Sequence, residues 1–178
     1  MDHFAVKEAL ATMTVLVDTR EQDTHRLRVR LRQIGLPYER VKLNFGDYSI
    51  RCSALDLRDT VVIERKMDAD ELAACFGAGR KRFVAEFERA KAAGARVYLL
   101  VENTSFEKLY AGRYRSRMTP ESITASIHAW AARYDCHFIT CDEAMSGKMI
   151  HDILYRELKE RLEQMPDEEG ECVETRMD

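Results

Sequence analysis

Apolar positions along the chain fall into two rhythms, and the switches between them mark out the elements. Short unbroken runs at 13–17 (MTVLV), 97–101 (VYLLV) and 136–140 (CHFIT) have the length and branched content of buried strands. Three segments rich in β-branched and aromatic residues, 38–43, 47–52 and 61–66, follow one another with Asn44-Phe45-Gly46 as turn material, and so predict an antiparallel meander. Elsewhere the spacing is helical. Leu27, Leu31 and Ile34 recur between a cap at Asp23 or Thr24 and a stop at Gly35. Asp68 caps a helix running through Phe76, and Phe83, Phe87 and Ala90 line another between Gly79 and Gly94. Thr119-Pro120-Glu121 joins a cap, a proline at the first helical position and an acid in the first turn, ahead of Ile123, Ile127 and Trp130. Ser146 or Gly147 opens a last helix with Ile150, Ile153, Leu154, Leu158 and Leu162 on one side, closed before Pro166.

The order β-α-β-β-β-α-α-β-α-β-α predicts an α/β fold: a mixed central β-sheet flanked by helices on both faces. With 178 residues, 46% of them hydrophobic, the chain can bury one full-sized core. The expected organisation is therefore a single domain over 1–165 and an acidic, disordered tail over 166–178. No apolar run approaches the roughly 18 residues of a membrane span, so no membrane partner is expected. The N-terminus lacks an apolar secretory segment, which points to a cytoplasmic, nucleoid-associated location. Five scattered cysteines without a C-x-x-C pair predict free thiols rather than a disulfide framework.

Net charge is −3, but its placement matters more than its sign. From 167 to 178, Asp167, Glu168, Glu169, Glu171, Glu174 and Asp178 face Arg176 alone, a local −5 that leaves residues 1–166 at +2. Within that body the cations cluster at Arg26, Arg28, Arg30 and Arg32, at Arg80, Lys81 and Arg82, and at Arg113, Arg115 and Arg117. Such clusters suit phosphate, although any single one is more often a solvated helix face.

Glu64 and Lys66 stand two apart in a strand-like segment, so both side chains leave one face while Arg65 leaves the other. Asp47 opens the neighbouring strand, where its carboxylate can converge with that of Glu64. Two such carboxylates suit a hard cation such as Mg²⁺, which polarises a phosphate and acidifies a bound water beside the Lys66 ammonium. Asp18 and Glu21 follow the first strand as further acids able to hold an ion or its waters, and Asp70 can support the site from the next helix. Taken alone, Glu64-x-Lys66 is more often a surface ion pair than a catalytic one.

The whole string changes that balance. Gly46-Asp47-Tyr48, followed by Glu64-Arg65-Lys66 and Asp70, resembles the GD…ERKxxxD signature of the XPF/ERCC-type structure-specific endonucleases. Asp18-Thr19-Arg20-Glu21 looks like that family's DxRE loop, Gly79-Arg80 like its GR, and Leu99-Leu100-Val101-Glu102 like its central strand, so the resemblance spans about residues 14–140. It implies a restriction-endonuclease-like, PD-(D/E)xK nuclease core that cuts branched, flap or fork DNA in repair or recombination, with Mg²⁺ or Mn²⁺. By matched position, Asp47, Glu64 and Lys66 form the catalytic core, and Asp18, Glu21, Arg65 and Asp70 support it. Asp47, Glu64 and Asp18 are the expected metal ligands. Arg20, Arg80 and Lys81, with Arg113, Arg115 and Arg117, are the expected DNA contacts. The family's habit also implies a homodimer or a heteromer with a specificity subunit, here through the helix starting at Thr119 and the last helix. The sequence departs from the eukaryotic pattern in having no room for a tandem helix-hairpin-helix module or a helicase, as in a stand-alone bacterial or phage-like version or a piece cut from a longer chain. Junction preference therefore stays open, as do the rival readings of a catalytically silent DNA-binding or dimerisation partner and of an α/β scaffold.

Other features carry less. His128 reads as a packing or surface histidine. Alternation along a strand sends Cys136 and His137 to opposite faces, against a zinc site with Cys141. Trp130, Phe83 and Phe87 sit at core spacing. The 113–117 segment interleaves arginines with Tyr114, which suits nucleic acid and a solvated loop equally.

Overall fold

The computed structural model describes residues 1–166. The acidic tail of 167–178, for which disorder is expected, lies outside them. Six strands form one sheet: β1 (Thr14–Asp18), β2 (Tyr38–Val41), β3 (Tyr48–Arg51), β4 (Val61–Lys66), β5 (Arg96–Glu102) and β6 (His137–Cys141), in the spatial order β2-β1-β3-β4-β5-β6. Strand β1 runs parallel to β2 and antiparallel to β3, β3 is antiparallel to β4, and β4, β5 and β6 are mutually parallel. The sheet is mixed, as expected, but the meander is not formed. β2 follows β1 through a helical crossover and pairs at the outer edge, so β1 lies between β2 and β3. A run of β-branched residues declares a strand and leaves its neighbour undeclared.

Among the described residues seven helices cover the two faces: α1 (His3–Ala11), α2 (His25–Ile34), α3 (Ala69–Phe76), α4 (Arg80–Ala92), α5 (Phe106–Tyr110), α6 (Pro120–Tyr134) and α7 (Ser146–Gln164), with a 3₁₀ turn at Glu143–Met145. α1 and α5 are additions to the expected order. The caps are those read from the residues: Thr24 accepts from the Leu27 N–H, Asp68 from that of Glu71 and Thr119 from that of Ser122, while Gly35 closes α2 at φ +68°.

Strand alternation sorts the core. In β4, Val61 and Ile63 pack with α1, α2 and α7, whereas Val62 enters an aromatic layer of Phe76, Phe83, Phe87, Trp130 and Tyr134 from α3, α4 and α6. Glu64 and Lys66 continue the Val62 face. On α7, Ile150, Leu154, Leu158 and Leu162 are fully buried at helical spacing, each contributing about 1.5–3 kcal/mol. Ile123, Ile127 and Trp130 of α6 are likewise consumed by the core. The greater part of the apolar stripe on each of these two helices thus faces inward, into the core. No helix among the described residues is long and apolar enough to cross a membrane.

Candidate active site

The site gathers where β1 and β4 end and β3 begins. Asp47 follows a tight turn at Gly46, whose φ of +71° favours glycine and whose added Cβ would lie 2.7 Å from the Val62 Cβ. Both polar groups of Gly46 are held: its N–H donates to Glu86 Oε1 (3.1 Å), and its carbonyl accepts from the Arg20 guanidinium (3.3 Å). Asp47 is then locked between strands. Its N–H donates to the Ile63 carbonyl (2.8 Å), its carbonyl accepts from the Asp18 N–H (2.9 Å), and its Oδ2 accepts from the Arg65 N–H (2.8 Å). The side chain is thereby fixed beside Glu64.

Asp47, Glu64, Lys66, Glu21 and Glu86 line one open cleft of about 770 Å³, with Arg20, Arg26, Arg82 and Arg89 on its walls. Glu64 is 4% exposed and pairs with the Lys66 ammonium. Burial pushes the Asp47 carboxyl well above its usual range, and the Glu64 and Glu21 charges push it further. Glu64 is also raised, by burial and by Glu86, against the pull of Lys66. Burial works against the Lys66 charge, yet the Glu64 and Asp47 carboxylates hold its pKa above the ordinary lysine value, so it stays an ammonium. Among the described residues Lys66 alone ion-pairs with either of these two carboxylates, one cation for two acids, although basic residues outnumber acidic ones around the cleft as a whole.

A hard divalent cation fits that imbalance. Asp47 and Glu64 are oxygen donors in one cleft, and each is driven toward protonation, by burial first and by neighbouring acids second. Among the described residues no three His, Cys, Asp or Glu gather in metal-holding geometry. Mg²⁺ does not require three, because it usually keeps several waters and takes one or two carboxylates plus substrate phosphate.

The remaining expected residues fall at varied distances from this centre. Glu21 lines the cleft and accepts from the Tyr48 hydroxyl (3.0 Å). Asp18 is 0% exposed and away from the cleft lining. Its Oδ1 accepts from Arg20 N and Nε (2.7 and 2.6 Å), and its Oδ2 from the Leu43 N–H (2.7 Å). Burial tends to raise this carboxyl, but Arg20 and the backbone donors hold it below the usual range. It braces the loop after β1 and, expected among the metal ligands, stands outside the lining that Asp47 and Glu64 share. The Arg65 side chain goes to the opposite face, where it and the buried Arg30 both donate to Glu102 (3.1 Å each). Arg30 also reaches Ser146 Oγ and the Tyr48 hydroxyl, joining α2, β3, β5 and α7 in one buried polar network. Asp70 lies in a separate groove on the other side of α3, bound to Arg115 and Ser116, which corrects its expected position beside Glu64.

Of the expected DNA contacts, Arg20 is a cleft residue. Arg80 instead lies over the Trp130 ring, 4.9 Å from its centroid, and Lys81 is exposed on α4 outside the cleft lining. Arg113, Arg115 and Arg117 are exposed on the loop before α6. Three residues of α4 do reach the cleft: Arg82, read from the sequence only as part of the 80–82 cluster, and Glu86 and Arg89, which the sequence reading passed over. Their spacing of four and three residues puts them on one helical face, a signal that was present but had no partner to point at. Cys136 packs in the aromatic layer and Cys141 against the other.

This sheet, helix-covered on both faces and carrying two acids and a lysine at adjoining strand ends, is an α/β fold of the nuclease type. A family model, the ERCC4 domain, matches residues 17–153, and the chain belongs to the ERCC4 domain family. Among solved structures it is similar to XPF from Aeropyrum pernix, with a TM-score of 0.59 and 23% identity over 86% of this chain and 62% of that one. XPF from Aeropyrum pernix in complex with DNA aligns with a TM-score of 0.60 and 22% identity, over 83% of this chain and 66% of that one. The chain thus spans slightly less than two thirds of the length of these structures, and at such identities the likeness is one of fold. No curated protein sequence matches.

Proposed function

We propose that this chain is a divalent-metal-dependent endonuclease that hydrolyses DNA phosphodiesters, with branched, flap or fork junctions as its preferred substrates. The observation that carries the reading is the pair of buried carboxylates, Asp47 and Glu64, both pushed toward protonation and sharing one cleft with a lysine held as an ammonium. Membership of the ERCC4 domain family supports it, as does the likeness of fold to an XPF structure solved with DNA.

Asp47 and Glu64 are the residues that hold the ion, Mg²⁺ or Mn²⁺, which when bound neutralises phosphate charge and acidifies water. Glu64 fixes the Lys66 ammonium in the cleft, where it orients the attacking water or offsets the charge that develops on the phosphoryl oxygens. Arg82 and Arg89 on the cleft wall hold flanking phosphates, so affinity falls steeply with salt. Glu21 and Glu86 carry no chemistry in this scheme. They pin Tyr48 and the Gly46 turn, and with them the position of Asp47.

The test is a cleavage assay on labelled flap, fork and linear DNA with Mg²⁺ or Mn²⁺, and with EDTA as the control. Metal-dependent cutting favouring branched substrates is the expected result. Binding without cutting under every metal condition identifies a silent DNA-holding domain instead.

A further inference from the structure

The loop 112–118 meets the side of α3 through a concentrated set of bonds. Asp70 Oδ1 accepts from the backbone N–H of Arg115 (2.8 Å) and of Ser116 (2.6 Å), and its Oδ2 accepts from Arg115 Nε (3.0 Å). Two more bonds close the loop on itself: the Tyr114 hydroxyl donates to the Met118 carbonyl (2.8 Å), and Ser116 Oγ accepts from the Met118 N–H (3.2 Å). Tyr114 and Met118 pack inward against the aromatic layer. The alternate residues Arg113, Arg115 and Arg117 are therefore presented outward on a rigid frame. Arg115 remains 87% exposed although it pairs with Asp70 and Asp68. Arg113 and Arg117 have no acidic partner among the described residues.

Beside this loop lies an open groove of about 940 Å³ between α3 and the start of α6. Its wall on the α3 side is Ala73, Ala74, Gly77 and Ala78, with no bulky side chain to keep a polymer backbone away. Arg117 stands on the other side. The groove adjoins the nuclease cleft, with α3 as the wall between them. Glu71 lines the cleft while its neighbour Asp70, about 100° round the helix, lines the groove. The α3 helix follows β4 directly and the loop follows β5, so both lie at the end of the sheet that carries Lys66.

We infer that this groove is a second phosphate-binding subsite, which holds the backbone of a DNA arm beyond the bond being cut. Asp70 is the positioning residue for that subsite. It holds the arginine loop in register rather than serving the chemical centre. This inference rests on the nuclease reading for its substrate but not for its test.

Binding of a labelled fork duplex is followed by fluorescence anisotropy over a salt series, alongside hydrogen exchange of the free protein. Arg113→Ala/Arg117→Ala should weaken binding about tenfold and flatten the slope of log K against log salt by about 2, one unit per lost contact. Asp70→Ala should remove exchange protection at the Arg115 and Ser116 amides and raise KM several-fold, with kcat at saturating DNA within about twofold. Asp70→Asn, whose amide oxygen still accepts the two N–H groups, should recover most of the loss. Unchanged affinity and salt slope in the double variant overturns the subsite, as does a wild-type chain that binds no DNA. A kcat loss in Asp70→Ala with both amides still protected returns Asp70 to the chemistry. A chain that binds but does not cut leaves the anisotropy and exchange arms intact, so failure of the nuclease reading is distinguishable from failure of this one.

Discussion

Glu64 and Glu157 are buried to nearly the same degree, 4% and 6% exposed, yet their surroundings drive the two carboxyls in opposite directions. Glu157 on α7 receives the Arg96 guanidinium (2.8 Å), the Tyr98 hydroxyl and Arg161. Burial alone would raise it, but these donors together hold it below the usual range. Glu64 has Lys66 alone as a close partner and sits among Asp47, Glu21 and Glu86, so burial prevails and its pKa rises. Both acids border open clefts, which means that neither burial nor a nearby cavity separates a working carboxylate from a structural one. Charge balance does. An acid the fold satisfies completely holds elements together, whereas one whose pKa the fold leaves raised in a cleft has the surroundings of a functional group.

That contrast can be broken in several ways. The largest effect expected is on turnover: Asp47→Asn or Glu64→Gln should lower single-turnover cleavage by about 10³-fold or more, whereas Glu157→Gln should leave it within about twofold. Cutting by Asp47→Asn near the wild-type rate removes that residue from the centre. Next is Gly46→Ala, which must place a Cβ against Val62 at a positive φ. It should cost about 2–4 kcal/mol in denaturant unfolding and reduce cleavage with it, since the turn sets Asp47.

A smaller effect sharpens the comparison through pH. Because the native Glu157 pKa lies below its ordinary 4.5, this acid adds stability above that value and loses it as pH falls through the native one. Glu157→Gln should therefore be less stable at pH 7 by about 1–2 kcal/mol, its partners being partly exposed, and equal to wild type near pH 3. Asp47 has the reverse sign. Its native pKa lies above 3.8, so between the two values the folded chain binds a proton that the unfolded chain has released, and stability falls as pH rises. Asp47→Asn should melt higher than wild type at pH 7, with the gain fading toward pH 4. Difference curves of one sign for the two variants would sink the charge-balance argument. The smallest effect is thermal: about 10 mM Mg²⁺ should raise the wild-type Tm by a degree or two and leave Asp47→Asn unmoved, with EDTA reversing the gain.

Much of this was legible in the residues because it depends on local geometry. Side-chain parity along β4 put Glu64 and Lys66 on one face and Arg65 on the other, as found. Caps at Asp68 and Thr119 set two helix starts to the residue, and Thr24, one of two candidates, set a third. What stayed hidden depends on contacts between distant segments. The edge position of β2 follows from the α2 crossover, which no property of 38–43 announces. Arg82 and Glu86 reach the cleft because α4 crosses the turn before Asp47, and Asp18 stays out of it because Arg20 and the Leu43 N–H bind its two oxygens. Asp70 illustrates the same limit. Its distance from Glu64 along the chain suggested the centre, but its position on α3 directs it to the neighbouring groove.

Arg65 belongs to both sides of the sheet: its backbone N–H steadies Asp47 in front while its guanidinium is anchored behind by Glu102, which Arg30 shares. Damage at Glu102 or Ser146, neither of which lines the cleft, will thus register as lost turnover. Anyone locating the reacting atoms by mutational loss alone would draw the map too wide.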